Sequence, residues 1–464
     1  MRERMVLIGA GSAVFTRGIV ADLIRRGAAL DLALVDIDPH ALEVVDRLCR
    51  KMIESKGAPI ALSASTDRRE VLAGATAVVC TIGVGGRRAW EQDVLIPQEF
   101  GIRQPVGDSV MPGGTSRALR MIPPMVAIAE DVLALAPDAL FFNYGNPMTA
   151  VCRAVVKATG ARLTGLCHGV MGVGRYLADV LGVALTRLRY TAIGVNHLTW
   201  FTEIRADGVD AMPRLHELAA EKLAAFRAAG GVPGGKHRSP FCWQLFESFG
   251  AFPAVHDSHV TEFFPQFFAA GEYFGKTVGE DVLRIRDRIA KGDEIFEQME
   301  RDAFSPDRLP ADYFERITGE HEQVVEIIDS IRTDAGRVYS ANLPNAGQVP
   351  NLPLGAVLEA PAVADGSGLR HIAQAPLPLG LVGTLATRLA YVETVVEAAL
   401  EGSRNKFIQA LVLDGCVGSL EQATALADAL LAAQAECLPQ YHGDLRRVAE
   451  SSRLRVGSTN PQIA

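Results

Sequence analysis

The sequence predicts an α/β protein, a Rossmann-type doubly wound parallel sheet followed by a mixed α+β region, and three observations point there. Short apolar runs alternate with amphipathic helical stretches over roughly the first 190 residues, as expected of parallel strands buried on both faces and joined by crossover helices. The first run, Met5-Val6-Leu7-Ile8, leads straight into Gly9-Ala10-Gly11-Ser12 and then a helical stretch. That strand, glycine turn and helix form the unit that receives a dinucleotide. Beyond about residue 190 the alternation stops, and long helical patterns mix with isolated extended pieces.

Taken in order, Met5–Ile8 is the first strand, and the next helix carries Ile19, Val20, Leu23 and Ile24 on one face. The second strand, Leu32-Ala33-Leu34-Val35, ends at Asp36. Further strands are expected at 77–82, 139–143 and 162–167, with helices near 40–55, 115–136 and 148–159. Pro123-Pro124 should kink or break the 115–136 helix, because each proline removes a backbone donor and crowds the preceding turn. Extended pieces at 190–206 and 352–363 surround helices near 212–229, 240–249, 280–302 and 321–332. Two long helical patterns, 379–402 and 419–437, follow. The segments 342–347 and 351–353, rich in Asn, Pro and Gly, read as turns. The expected division is a nucleotide-binding domain at 1–195, a catalytic and oligomerisation domain at 196–450 and a polar tail at 451–464.

Apolar residues make up 48% of the chain and charged residues 22%, an ordinary globular composition. A net charge of −8 argues against nucleic acid or an anionic membrane as partner. The most apolar window, 377–400, contains Arg388, Glu393 and Glu397, so it reads as a packed helix and not a span. Met1-Arg2-Glu3-Arg4 runs directly into the first strand, which leaves no room for a signal peptide. Seven cysteines lie scattered at 49, 80, 152, 167, 242, 416 and 437. They read as reduced thiols of a cytoplasmic protein.

The candidate chemistry begins at the glycine loop. Gly9, Gly11 and Ser12 would let a pyrophosphate approach the backbone at a helix N-terminus. Asp36 is placed to accept the adenosine ribose hydroxyls, which favours NAD over NADP. Val14 stands where a third glycine would be. Cys167 and His197 end successive expected strands. A thiolate with an imidazole would make an open metal site. By residue type alone, each also reads as an ordinary buried thiol and an ordinary histidine. Their spacing does not choose among Mn²⁺, Zn²⁺ and Fe²⁺. Asn143 and Asn146, after a strand end, either face the ligand crevice or cap the helix beyond Pro147. Gly107-Asp108-Ser109 lies in a glycine-rich loop that could close over a ligand. His256-Asp257-Ser258-His259 and Lys236-His237-Arg238 are polar clusters that solvated loops would also show.

Together, Gly9–Ser12, Asn143–Met148, Cys167–Gly169, Gly194–His197, Asn342–Asn345 and Val357–Glu359 resemble glycoside hydrolase family 4, the NAD- and metal-dependent glycosidases. The resemblance spans nearly the whole chain in order. It implies a fold similar to malate and lactate dehydrogenases, NAD as a catalytic cofactor, a divalent metal (typically Mn²⁺) on Cys167 and His197, and a homodimer or homotetramer. It also implies redox-neutral hydrolysis of a small carbohydrate: oxidation at sugar C3, loss of the C2 proton, departure of the aglycone from C1, water addition and reduction at C3. Family 4 is an exception to the paired-carboxylate scheme of other glycosidases.

Cys167-His168-Gly169 is similar to members acting on unphosphorylated α-glycosides, whereas phospho-active members resemble Cys-Asp or Cys-Asn at that point. The stretches 104–109 and 254–263 look closest to α-galacturonidase-like members, so α-galacturonides and α-glucuronides are the expected substrates, with α-glucosides or α-galactosides as the alternative. Lys236, His237 or Arg238 would meet a uronate carboxylate, although Ser258 replaces an arginine of those members. Asp257 is the expected base, His168 the expected acid and His259 the reserve for either role. Asn143 is assigned to the cofactor, and Asn146, Asp108 and Arg238 to the substrate. Two rivals are an NAD-dependent 2-hydroxy-acid dehydrogenase and a non-catalytic NAD-binding regulator. Neither gives Cys167 a purpose.

Overall fold

The computed structural model describes residues 2–13, 15–233, 239–317 and 323–443. Arg238 with its neighbours Lys236 and His237, and the polar tail, lie outside the described residues.

The amino-terminal half alternates β1 (Glu3–Ile8), α1 (Phe15–Arg25), β2 (Leu30–Val35), α2 (Pro39–Lys56), β3 (Ile60–Ser65), α3 (Arg69–Leu72), β4 (Ala77–Cys80), α4 (Gly86–Glu99), α5 (Met111–Leu135), β5 (Leu140–Asn143), α6 (Met148–Thr159), β6 (Leu163–Gly165) and α7 (Gly169–Leu181). Its strands lie in the order β3-β2-β1-β4-β5-β6, every pair parallel. The buried strand β1 shows why the runs are apolar throughout: Met5 and Leu7 enter one core, Val6 and Ile8 the other. Side chains alternate between faces, and helices cover both. Local capping sets the helix ends. Asp38 accepts the N–H groups of His40 and Ala41 at the start of α2, and Gly57 closes it with φ 58°.

The second half continues the same sheet. It adds β7 (Leu188–Val195), β8 (Leu198–Ala206), β9 (Val209–Asp210), α8 (Met212–Ala228), α9 (Pro240–Phe249), β10 (Phe252–Pro253), α10 (Asp257–Val260), β11 (Glu272–Tyr273), β12 (Lys276–Thr277), α11 (Ile285–Phe304), α12 (Tyr313–Arg316) and α13 (Gln323–Arg332). Then come β13 (Arg337–Pro344), β14 (Val357–Asp365), β15 (Gly368–His371), α14 (Leu379–Glu401), α15 (Arg404–Asp414) and α16 (Leu420–Ala433). The path runs on from β6 through β13, β14, β7, β8 and β10, all antiparallel neighbours. The expected boundary at 195 therefore falls in the turn between β7 and β8, inside one sheet.

Three expectations need correction. Helix α5 runs unbroken through Pro123 and Pro124. The carbonyl of Leu119, which Pro123 cannot serve, instead accepts Gln440 Nε2 at 2.8 Å. Strand β6 stops at Gly165, so Cys167 sits on the following loop, and β13 and β14 separate β6 from β7. Asn342–Pro344 is strand, not turn, because β13 pairs with β14 as far as Pro344 and Val357. The apolar helix α14 is long and apolar enough to cross a membrane by length and composition. It is packed on one side, with Arg388 buried in an ion pair to Asp414 at 2.6 Å. All seven cysteines are free thiols.

Candidate active site

The glycine loop has the shape its sequence implies. Gly9 has φ 84°, and a Cβ there would lie 2.7 Å from the Ile82 nitrogen; one on Gly11 would lie 2.7 Å from Asp36 Oδ2. Both Gly9 and Ala10 donate to the Val35 carbonyl, which folds the loop back over the end of β2. Ser12 Oγ accepts the Phe15 N–H at 3.3 Å and so caps α1. Asp36 accepts the Gly11 N–H through Oδ2 at 2.7 Å and the Asp38 N–H through Oδ1 at 3.0 Å. The acid, the close-approach glycines and a helix N-terminus thus converge at the carboxyl ends of β1 and β2, the place a dinucleotide requires. Asn143 is wholly buried and spends its amide on Gly145, accepting the N–H and donating to the carbonyl at 2.9 Å each. Its side chain holds the 143–148 loop.

A second cluster gathers residues from three distant segments. One donor atom each of Asp108, His197 and His259 lies within 4.8 Å of the others. Asp108 comes from the loop before α5, His197 from the β7–β8 turn and His259 from α10. His197 Nδ1 meets Ser109 Oγ at 2.8 Å and Asp108 Oδ1 at 3.8 Å. His259 Nδ1 is 4.0 Å from Asp108 Oδ1 and makes no hydrogen bond among the described residues, and the two imidazole centroids are 4.0 Å apart. Asn146 Nδ2 donates to Asp108 Oδ2 at 3.0 Å, and Arg117 Nε holds the Asn146 carbonyl at the same distance.

Electrostatics suit a cation there. Burial would raise the Asp108 carboxyl, yet the facing His259 and His197, with Arg117 and the Ser109 hydroxyl, hold it well below its usual value. Burial, then the neighbouring His197, pushes His259 down. The pair therefore stands as carboxylate beside neutral imidazole, the forms that ligate a metal. A buried, unbonded imidazole nitrogen facing a carboxylate and a second imidazole is a donor set that fits a divalent cation. Cys167 lies outside this three-residue group. Its Sγ accepts the Gly169 N–H at 3.4 Å, and the close space around Gly169 brings its loop against Ala254 and Val255.

The scan against family models decides what this constellation belongs to: the family 4 glycosyl hydrolase model matches residues 4–183 and its C-terminal domain model residues 192–417. The chain belongs to glycosyl hydrolase family 4.

Among relatives of this family 4 protein, an α-glucosidase of Erwinia rhapontici is 30% identical over 94% of this chain and 98% of its own length. An α-galacturonidase of Bacillus subtilis is 30% identical over 89% of this chain and 93% of its own. The solved 6-phospho-α-glucosidase from gut microorganisms, in complex with NAD and glucose-6-phosphate, has a TM-score of 0.81 at 23% identity, covering 95% of this chain and 99% of that one. The 6-phospho-β-glucosidase of Thermotoga maritima, with manganese, NAD⁺ and glucose-6-phosphate, has a TM-score of 0.77 at 20% identity, covering 93% and 98%. A malate dehydrogenase of Cryptosporidium parvum shares the fold at a TM-score of 0.51 and 14% identity over 86% of this chain and 99% of its own. The resemblance in sequence and the dehydrogenase-like fold are both borne out.

His168 begins α7, its ring stacked on Tyr144 at 5.8 Å and 25°. Asp257 is the expected base. It is buried, accepting the N–H groups of Phe241 and Cys242 at 2.9 Å each and the Tyr273 hydroxyl at 2.6 Å. Its oxygens bind the first turn of α9, and burial raises its carboxyl. Asp108, expected to hold substrate, and His259, expected in acid–base work, stand beside His197. His256 meets Ser239 Oγ, and His259 meets the site. Glu262 escaped the sequence reading. It is buried, and one oxygen accepts the Val106 and Gly107 N–H groups at 2.8 and 2.7 Å. Burial, then the Asp108 charge, raises its carboxyl to about 8.

Proposed function

We propose that this family 4 protein hydrolyses unphosphorylated α-glycosides with NAD and a divalent cation, Mn²⁺ first among candidates, with α-galacturonides and α-glucuronides the favoured substrates. The observation that carries the reading is the histidine after the loop cysteine, His168, at the head of α7 within reach of Tyr144. The α-glucosidase and α-galacturonidase relatives support it, as do the NAD and manganese held by solved relatives. The first of these relatives equally favours a second reading, an α-glucosidase or α-galactosidase with the same cofactors.

When bound, the nicotinamide takes up and returns a hydride at the sugar while the cation serves as a Lewis acid beside it. Gly9, Gly11, Ser12 and Asp36 would hold the dinucleotide. His197, Asp108 and His259 would hold the cation, with Cys167 as a further ligand from the loop beyond β6. Asn146, fixed by Arg117 and Asp108, orients sugar hydroxyls. His168 delivers a proton to the leaving oxygen. The active form is a cytoplasmic homodimer or homotetramer, which light scattering of purified protein tests.

The assay combines protein, Mn²⁺, NAD⁺ and nitrophenyl α-glycosides, including α-galacturonide, α-glucuronide, α-glucoside and 6-phospho-α-glucoside. Aglycone release that needs both cofactors, without stoichiometric NADH, is expected from the unphosphorylated substrates. Release from the phosphorylated one alone would sink the substrate reading. Steady NADH production from a 2-hydroxy acid would overturn the glycosidase assignment.

A further inference from the structure

Asn342 and Glu359 occur in stretches that resemble the family, yet none of the chemistry above uses either. Their Cα atoms lie in one row across four strands: Gly165 of β6, Asn342 of β13, Glu359 of β14 and Gly194 of β7. Both side chains are buried, at 0% and 2% exposure. Asn342 Nδ2 donates to the Gly165 carbonyl at 3.3 Å, two residues before Cys167. Glu359 Oε2 accepts Thr199 Oγ1 at 2.8 Å and Asn196 Nδ2 at 3.4 Å. Asn196 and Thr199 flank His197-Leu198. The Ser340 and Asn342 side chains also face the carboxyl. One buried polar group therefore sits between the two backbone segments that carry Cys167 and His197.

His197 needs such support. It has φ 66° at the third position of a tight turn, where glycine or asparagine is the usual occupant. Asn196 is held twice, its N–H on Thr149 Oγ1 at 3.2 Å and its amide on Glu359. Glu359 Oε1, Asn342 Oδ1, Asn196 Oδ1 and Ser340 Oγ are all buried with no hydrogen bond among the described residues. Apolar side chains would satisfy packing better than four such atoms, so the row points to orientation and not to stability.

We propose that Glu359, with Asn342 beside it, is a positioning residue that holds the strained β7–β8 turn so that His197 faces Asp108 and His259 before a cation arrives. This rests on the reading of His197 as a cation ligand. Groups that orient metal ligands change affinity about 10–100-fold when lost. The test is titration of the full-length protein with Mn²⁺ alone, free Mn²⁺ being read by electron paramagnetic resonance, beside NAD⁺ titration and thermal melting. Glu359→Leu should weaken Mn²⁺ about 10–100-fold and leave NAD⁺ affinity unchanged, and Glu359→Gln, which keeps an acceptor for Thr199, should recover much of the loss. Wild-type protein that binds no Mn²⁺ would overturn the cation reading itself. Wild-type binding matched by both variants would overturn the positioning role alone, and so would equal losses of Mn²⁺ and NAD⁺ affinity. Should Glu359→Leu fail to fold, Thr199→Val carries the test, with weaker Mn²⁺ affinity expected and unchanged affinity refuting it.

Discussion

At the scale of single residues, what each polar group does follows from which of its atoms are already spoken for. Asp257 is a buried acid and Asp108 a half-buried one, both in histidine-rich surroundings. Asp257 is saturated by two backbone donors and a phenol, whereas Asp108 faces imidazoles. Replacing His259 by Gln, or Cys167 by Ser, should each weaken Mn²⁺ binding, measured by calorimetry, at least tenfold if they are ligands. Full affinity in Cys167→Ser would confine the donor set to Asp108, His197 and His259. Glu262 makes a pH prediction. Its folded-state carboxyl titrates at about 8, against an ordinary value of 4.5. The folded chain therefore binds more protons than the unfolded chain between those values, and the stability it contributes falls as pH rises through that window. Denaturant titrations at pH 5.5 and 8 should show wild type losing stability relative to Glu262→Gln. A constant difference would contradict the retained proton.

At the scale of elements, helix α5 shows how a remote side chain can overrule a local breaker. Proline removes one donor and leaves one carbonyl bare, and Gln440 fills that bond at Leu119. Gln440→Ala should cost about 1 kcal/mol, read from the urea midpoint. In a Pro123→Ala background the helix supplies its own N–H, so the same change should cost much less. Equal costs in both backgrounds would mean that Gln440 acts elsewhere. Strand β3, absent from the sequence reading, fails to announce itself because only Ile60 of its six residues is buried. Ile60 and Leu62 alternate with Ala61 and Ser63, but the run is short and ends in small residues, so this edge strand gives only a weak signal. Helix α6 spans 148–159 as expected, since its apolar periodicity is local and Gly160, with φ 72°, ends it directly.

For the whole molecule, the second half is not an appendage but the wall of the site. Arg388 of α14 binds Asp414 of α15 at 2.6 Å and the Phe263 carbonyl at 2.8 Å. The same Asp414 accepts the Met111 N–H at 3.1 Å. One buried pair thus joins the carboxy-terminal helices to the start of α5 and to the segment after His259. Arg388→Leu leaves a buried charge unpaired and should cost about 3–5 kcal/mol. The double variant Arg388→Leu, Asp414→Leu should regain most of it in equilibrium denaturation. A small effect of the single variant would show that the charge escapes to solvent.

The glycine loop, its acid and the parallel half were legible in the sequence because each depends on neighbours a few positions apart: continuous apolar runs, a turn that only glycine enters, an acid at a strand end. Family likeness likewise singled out Cys167 and His197 as a pair. The grouping of Asp108 with His197 and His259 was not legible. Those residues come from three segments, and their meeting depends on β13 and β14 entering the sheet between β6 and β7. Nor could pattern reveal that Asp257 caps a helix while His259, two residues on, faces the site. By itself, the sequence determined the nucleotide scaffold and the family chemistry. Which side chains share the candidate cation site was decided by tertiary structure, because long-range strand order and burial, not local periodicity, set which polar atoms remain uncommitted.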